Sequence, residues 1–253
     1  MKKTLLALSA VALLLAGCNS SPEVKHAKEK TKEGHDKHWD YGNNNGPAHW
    51  EEFSKTCGTG IHQSPINIIP GKTMNMDHDY DLSMHEDVTG LAKIIDNGHS
   101  IKVTPKHGGS IELHGETFNL LQFHFHGKSE HTVDGKRYDM VVHMVHQNPD
   151  TKQLAVVAVF FDEGEANGIL DTVIDNVGKT VTLDPQDLLP EDHSHYYHYV
   201  GSLTTPPCSE NVQWYLLKSP KTASKAQIEH FRKYYVDNER PVQELHDRVV
   251  EVN

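Results

Sequence analysis

The chain has 253 residues, long enough to bury a substantial core in one large domain or two small ones. Acidic residues outnumber basic ones, 35 to 24, for a formal charge of −11, and no basic block is dense enough to grip a phosphate backbone. Nucleic-acid binding is therefore excluded, and with 20 histidines a metal site must be argued from placement, never from number.

At the N-terminus, Lys2 and Lys3 precede an apolar run over 5–16 that is too short to span a bilayer comfortably. Leu15-Ala16-Gly17-Cys18 follows and resembles a bacterial lipobox, whose cysteine is lipidated and becomes the first mature residue. An ordinary secretory signal cleaved near Ala16 is the alternative. The expectation is a signal peptide over 1–17 and a lipidated Cys18 heading a solvated tether over 18–37, rich in Lys, Glu, His and Ser. Such a chain is exported and anchored by lipid on the periplasmic or cell-surface side of a bacterial membrane. That compartment is oxidising, so Cys57 and Cys208 tend to pair as a disulfide, with two free buried thiols as the alternative.

Order is expected from His38 onward, in one domain over 38–253. Trp39, Tyr41 and Trp50 form an aromatic group that reads as a small satellite core. From Gln63 to Phe161, short β-rich runs alternate with Gly, Asn, Asp and Pro. Strands are predicted over 64–69, 100–104, 110–114, 120–126, 137–146 and 154–161, with later ones at 214–217 and 248–252. Helical periodicity over 167–177 places Ile169, Leu170, Val173, Ile174 and Val177 on one face. A second helix runs to Tyr235 from a cap at Thr222 or Ser224. The fold class is mainly β: a single domain around a large, mostly antiparallel twisted sheet with a few peripheral helices.

The chemistry concentrates in 120–146. Phe123-His124-Phe125-His126 alternates at a period of two, which puts both imidazoles on one face of a strand. A third imidazole from a paired strand, His143, would complete a three-nitrogen zinc site with an open fourth position. Spacing alone leaves this level with a second reading, polar side chains on a solvated sheet face. Gln122 lies on the same face as His124 and can orient it, and Glu130 suits orienting a hydroxyl better than binding metal. A metalloprotease site is absent, because His85-Glu86 is followed by Thr89 where HExxH needs histidine.

Several of these motifs together resemble the α-class carbonic anhydrases. They are Gln122-Phe-His-Phe-His126, Ser129-Glu-His-Thr-Val133, His143-Met-Val-His146 and Gly201-Ser-Leu-Thr-Thr-Pro-Pro207. Gln63-Ser-Pro-Ile-Asn67, Asn97-Gly-His99, Gly46-Pro47 with His49-Trp50, and Asp237-Asn238 with Arg240-Pro241 also match. The resemblance runs from about His38 to the C-terminus and implies a lyase that interconverts CO2 and bicarbonate. It implies Zn2+ on His124, His126 and His143, which lowers the pKa of a bound water to roughly 7 and yields a hydroxide nucleophile. Thr204 would accept from that hydroxide and donate to Glu130, with Thr205 beside it. Val145, Val156, Leu203 and Trp214 would form the apolar pocket for CO2. His99 matches the proton shuttle, and Tyr41 and Asn97 match groups that order the intervening water. Without the resemblance, His99 reads as a turn histidine after Asn97-Gly98. Exported members pair cysteines at the positions of Cys57 and Cys208.

Two departures stand out. The family usually has glutamate two residues before the third ligand, and here that position is Val141, which accepts no hydrogen bond. Lys102 stands where familiar members have an uncharged polar residue, a difference that bears on water order and anion affinity. His193-Ser194-His195 and the His-rich tether suggest a rival, a zinc-storing surface lipoprotein. The sequence is silent on oligomeric state; a homodimer is compatible with it.

Overall fold

Long, largely apolar stretches at 140–147 and 154–163 bury both faces, and the rest of the chain is built outward from them. The computed structural model describes residues 38–76, 82–85 and 88–253. The expected leader, Cys18 and the segment 18–37 lie outside the described residues. Ten strands form the main path of one sheet. In chain order they are β1 (Met74–Asn75), β2 (Gly90–Asp96), β3 (Ile101–Pro105), β4 (Glu116–His126) and β5 (Met140–Gln147), followed by β6 (Leu154–Glu163), β7 (Thr180–Leu183), β8 (Tyr196–Ser202), β9 (Glu210–Leu217) and β10 (Glu251–Val252). Across the sheet they lie in the order β7-β2-β3-β4-β5-β6-β9-β8-β10-β1. Three short strands off this path bring the total to 13 among the described residues. Pairing is antiparallel except at β6–β9, β10–β1 and the contact of β6 with Lys221–Ala223. The sheet is thus mostly antiparallel, as the spacing of turn residues predicted, with parallel pairings that it did not.

β5 shows why the site sits where it does. Every residue from Met140 to His146 is buried. Met140, Val142 and Met144 join one apolar cluster with Phe123, Phe125, Val157 and Phe231. Val141 and Val145 point the other way, into a second cluster with Val156, Phe160, Leu216 and Trp214. Each fully buried side chain of this size contributes roughly 1.5–3 kcal/mol, so a one-residue slip, which exchanges the two faces, is strongly disfavoured. The two helices are shorter than their patterns suggested. α1 (Gly168–Ile174) starts at Asn167, whose side chain accepts from the Ile169 and Leu170 amides. α2 (Lys225–Phe231) is capped by Ser224 in a capping box with Gln227, the second of the two expected caps.

Several expectations are corrected. β4 begins at Glu116 rather than near 120, and a bulge separates Leu120 from Gln122. Of 64–69 only Asn67–Ile68 forms a strand, in parallel with Thr132–Val133, while Ile66 makes a single parallel bridge to Gln243 and neighbouring backbone groups bond elsewhere. The Ser64 amide donates to Ser202 Oγ, and Pro65 O accepts from the Gln243 amide. Strands β2, β7 and β8 were not anticipated. In β2 the buried residues are Ala92 and Ile94 while Leu91 is exposed, so alternation is masked by a small core residue. In β8 the tyrosines and His198 read as polar although they are buried. At the C-terminus pairing is confined to Glu251–Val252.

The satellite core forms as expected: Trp50, Cys57 and Cys208 are buried together, with Trp39, Tyr41 and Phe53 against them. Cys57 and Cys208 are joined in a disulfide that closes 151 residues of sequence. It ties the loop after β8 to the segment around Thr56–Thr59, and Gln63 Nε2 donates to Cys208 O at 3.1 Å. Replacing both cysteines by alanine is expected to lower unfolding free energy by about 2–5 kcal/mol. Urea unfolding of the two proteins checks this, and coincident midpoints would contradict it.

Candidate active site and metal centre

The register of β4 against β5 places His124 directly opposite His143, while His126 faces Val141. Alternation sends His124 and His126 away from Phe123 and Phe125, which are both fully buried on the opposite face. Three imidazoles therefore converge, with one nitrogen from each lying within 4.8 Å of the others. They are the one group among the described residues that could hold a metal ion. His193 and His195, by contrast, bond to Pro190 O and Asp192.

Each ring is oriented through its second nitrogen, with one exception. His124 Nδ1 lies 3.0 Å from Gln122 Oε1, and His126 Nδ1 lies 2.6 Å from the backbone oxygen of Asn238. Both acceptors favour a protonated Nδ1 and so a bare Nε2 on each ring. His143 differs: its Nε2 is buried and has no hydrogen-bond partner. Val141, on the same face two residues earlier, supplies none. Nearby His131, whose ring centroid is 6.2 Å from that of His143, also has an unpartnered buried Nδ1. Burial, aided by neighbouring imidazoles, holds the pKa of both His124 and His143 well below 6.5. For His124, Lys102 adds to the effect; it pairs opposite His124 on β3. Both rings are thus neutral near pH 7, with lone pairs available to a cation.

The segment 238–240 supports the site from the far end of the chain. Asn238 Oδ1 accepts from the Gly127 amide, and its Nδ2 donates to His99 O and Phe125 O, both at 3.1 Å. The Arg240 amide donates to Glu130 Oε1 at 2.8 Å. Glu130 is fully buried, and its Oε2 has no hydrogen-bond partner. That oxygen lies 3.6 Å from His126 Nε2 and 3.8 Å from His143 Nδ1. The expected bond from Thr204 to Glu130 is not formed. Asn238 and Arg240 were visible only as a motif; no local pattern assigns them to the ligands or to Glu130.

Two small cavities meet at Gln122, His124 and Thr205. One, of about 110 Å³, is lined by His143, Val145, Val156, Leu203, Thr204 and Trp214. Gln122, Val145, Val156 and Trp214 form one cross-strand row through β4, β5, β6 and β9, and the Trp214 indole is pinned by its N–H to Ser202 O at 2.9 Å. The other, of about 150 Å³, is lined by Trp39 and mostly by residues with polar side chains, among them Tyr41, Asn97, His99, Lys102 and His126. Spaces this small suit small molecules rather than polymers. Burial raises the Tyr41 phenol well above 10, so it remains a donor. Asn97 shapes the backbone here. Its Oδ1 accepts from the His99 and Ser100 amides, closing a turn in which Gly98 takes φ +85°.

The model of the eukaryotic-type carbonic anhydrase family matches residues 45–253. A carbonic anhydrase of Pectobacterium carotovorum is 38% identical over 95% of this chain and 97% of its own length. One from Klebsiella pneumoniae is 43% identical over 84% of this chain and 90% of its own. Among solved structures, the α-carbonic anhydrase from Thermovibrio ammonificans, in complex with the inhibitor sulfanilamide, is similar at 40% identity and a TM-score of 0.79. That match covers 85% of this chain and 98% of the other.

The unpartnered Nε2 of His143 carries a prediction. Val141→Glu is expected to give that nitrogen an acceptor and slow metal loss to a chelator by about 10–100-fold. Equal or faster release would show that another group already fills the role.

Proposed function

We propose, since the chain belongs to the eukaryotic-type carbonic anhydrase family, that it catalyses CO2 + H2O ⇌ HCO3⁻ + H⁺ at a zinc ion held by His124, His126 and His143. The observation that carries this is the convergence of three imidazoles at the junction of an apolar and a polar cavity. The donor set fits zinc: three nitrogen ligands, two of them with Nδ1 engaged by an acceptor, leave a fourth position for a small molecule. When bound, the ion supplies a Lewis acid that lowers the pKa of a coordinated water to about 7.

The protein supplies the remaining functions. Val145, Val156, Leu203 and Trp214 hold CO2 by exclusion of water, since a molecule without charge offers no ionic handle. Thr204 and Thr205 line the same cavity as this apolar wall and His124. Thr204 would orient the nucleophilic oxygen by accepting a hydrogen bond from it while turning its own hydroxyl toward Glu130 Oε2, a buried acceptor that has no partner in this structure. Glu130 is held for this by the Arg240 amide. His99 carries the proton away across the polar cavity, through water ordered by Tyr41 and Asn97. Burial and the nearby His38 lower the pKa of His99 below 6.5, so it is neutral and ready to accept at neutral pH. The disulfide and the lipobox-like sequence support export, with lipid attachment at Cys18 as the anchor.

Stopped-flow CO2 hydration tests the reading. The chelated protein is expected to lose its rate and regain it with zinc, and His143→Ala to lose both rate and metal. No zinc-dependent hydration by the native chain would refute it. His99→Ala should slow turnover in weak buffer by roughly tenfold to a hundredfold, no more than the lower end of what positioned proton transfer supplies. Added imidazole should restore it; undiminished turnover would remove His99 from the mechanism.

A further inference from the structure

We propose that Lys102 makes the cavity beside His124 a site for small monovalent oxyanions. Given the function proposed above, its natural occupant is bicarbonate, the charged side of the reaction. Lys102 pairs opposite His124 across β3 and β4, so both side chains leave the same face of the sheet. It lines the cavity and is half-buried, and it has no hydrogen bond or ion pair among the described residues. Lys128, by contrast, is paired with Asp237 and Glu239.

The lining gives this ammonium no internal counter-charge. Among the residues around the cavity, Lys102 carries the only ammonium and none is a carboxylate. The adjoining apolar cavity, which shares Gln122, His124 and Thr205, has no acidic side chain either. Glu130 and Asp96 are engaged elsewhere, accepting from the Arg240 and Gly98 amides. The chain as a whole has a formal charge of −11, and its long-range field repels anions. Inside the cavity the balance reverses, because charges beyond about 8 Å are screened at physiological salt while the ammonium is local. A cation partly withdrawn from water and left unpaired is stabilised when an anion joins it.

Gln122 adds to the site. Its Oε1 faces His124 Nδ1 at 3.0 Å, which leaves its N–H2 group to donate to an oxyanion. Neutral CO2 gains little from an ammonium, so the two sides of the reaction sort between the cavities. CO2 rests against Val145, Val156 and Trp214, and bicarbonate is drawn toward Lys102. The consequence is tighter retention of the anion: stronger product inhibition of hydration, and saturation at lower bicarbonate in the reverse direction.

The test uses the full zinc-loaded chain and nitrate, an unreactive planar oxyanion of the same charge. By calorimetry, Lys102→Gln is expected to bind nitrate about threefold to tenfold more weakly than the native chain. That range lies between an exposed ion pair and a charge-assisted hydrogen bond. Lys102→Arg, which keeps the charge, should stay close to native. The inhibition constant of bicarbonate against CO2 hydration should rise in Lys102→Gln by the same factor as the nitrate constant. The two directions share one equilibrium constant, so kcat/KM changes equally in both and does not report the lysine. Equal nitrate affinity in the native and Lys102→Gln chains would overturn the proposal, as would a native chain that binds no nitrate. So would an equal loss in Lys102→Arg, since packing rather than charge would then be responsible. Nitrate binding needs no turnover. A chain that binds nitrate through Lys102 without zinc-dependent hydration would refute the function above and leave the oxyanion site standing.

Discussion

The register between β4 and β5 is the constraint on which the rest depends. It sets His124 opposite His143 and brings three imidazoles to one point without any loop having to close. Burial on both faces enforces it. Phe123, Phe125, Val142 and Met144 are fully buried on one side, so a slip of one residue would drive histidines into the larger core. The three-histidine group that could hold a metal is positioned by the same apolar burial that stabilises the sheet.

Around that register the chain supplies supports of unequal quality. Gln122 and the Asn238 carbonyl orient two rings, and Asn238 also ties Phe125 on β4 to the turn carrying His99. The third ring stands without an acceptor, and the nearby His131 shares the deficit at its Nδ1. Two unpartnered buried nitrogens in one neighbourhood are costly, on the order of 1–3 kcal/mol each. Valine at position 141 thus trades polar support for apolar packing beside Phe160 and Trp214. The consequence falls on the third ligand rather than on the fold.

Much of the site was legible because β-strand alternation is local. Four residues, Phe123 to His126, suffice to place two imidazoles on one face. The bulge before Gln122 was not legible, yet it matters: it lets Phe118 and Leu120 share the larger cluster with Phe123 and Phe125. Strict alternation would have put Leu120 on the face of His124. The row Gln122, Val145, Val156, Trp214 was equally hidden, since it crosses four strands whose order includes a parallel step between β6 and β9. Strands β2 and β8 escaped for a simpler reason: Ala92 and the buried tyrosines do not look like core in a hydrophobicity pattern.

By itself, the sequence determined the predominance of strands, the buried helical face of Ile169, Leu170, Val173 and Ile174, the aromatic satellite core and the shared strand face of His124 and His126. All of these follow from side-chain periodicity or from contacts within a few residues. Tertiary structure alone decided which backbone carbonyl would hold His126 and that Glu130 Oε2 would be left without a hydrogen-bond partner. It also decided that His38, 61 residues before His99, would lie against it. Such pairings depend on strand order and on how distant segments pack, and neither is written in the spacing of residues along the chain.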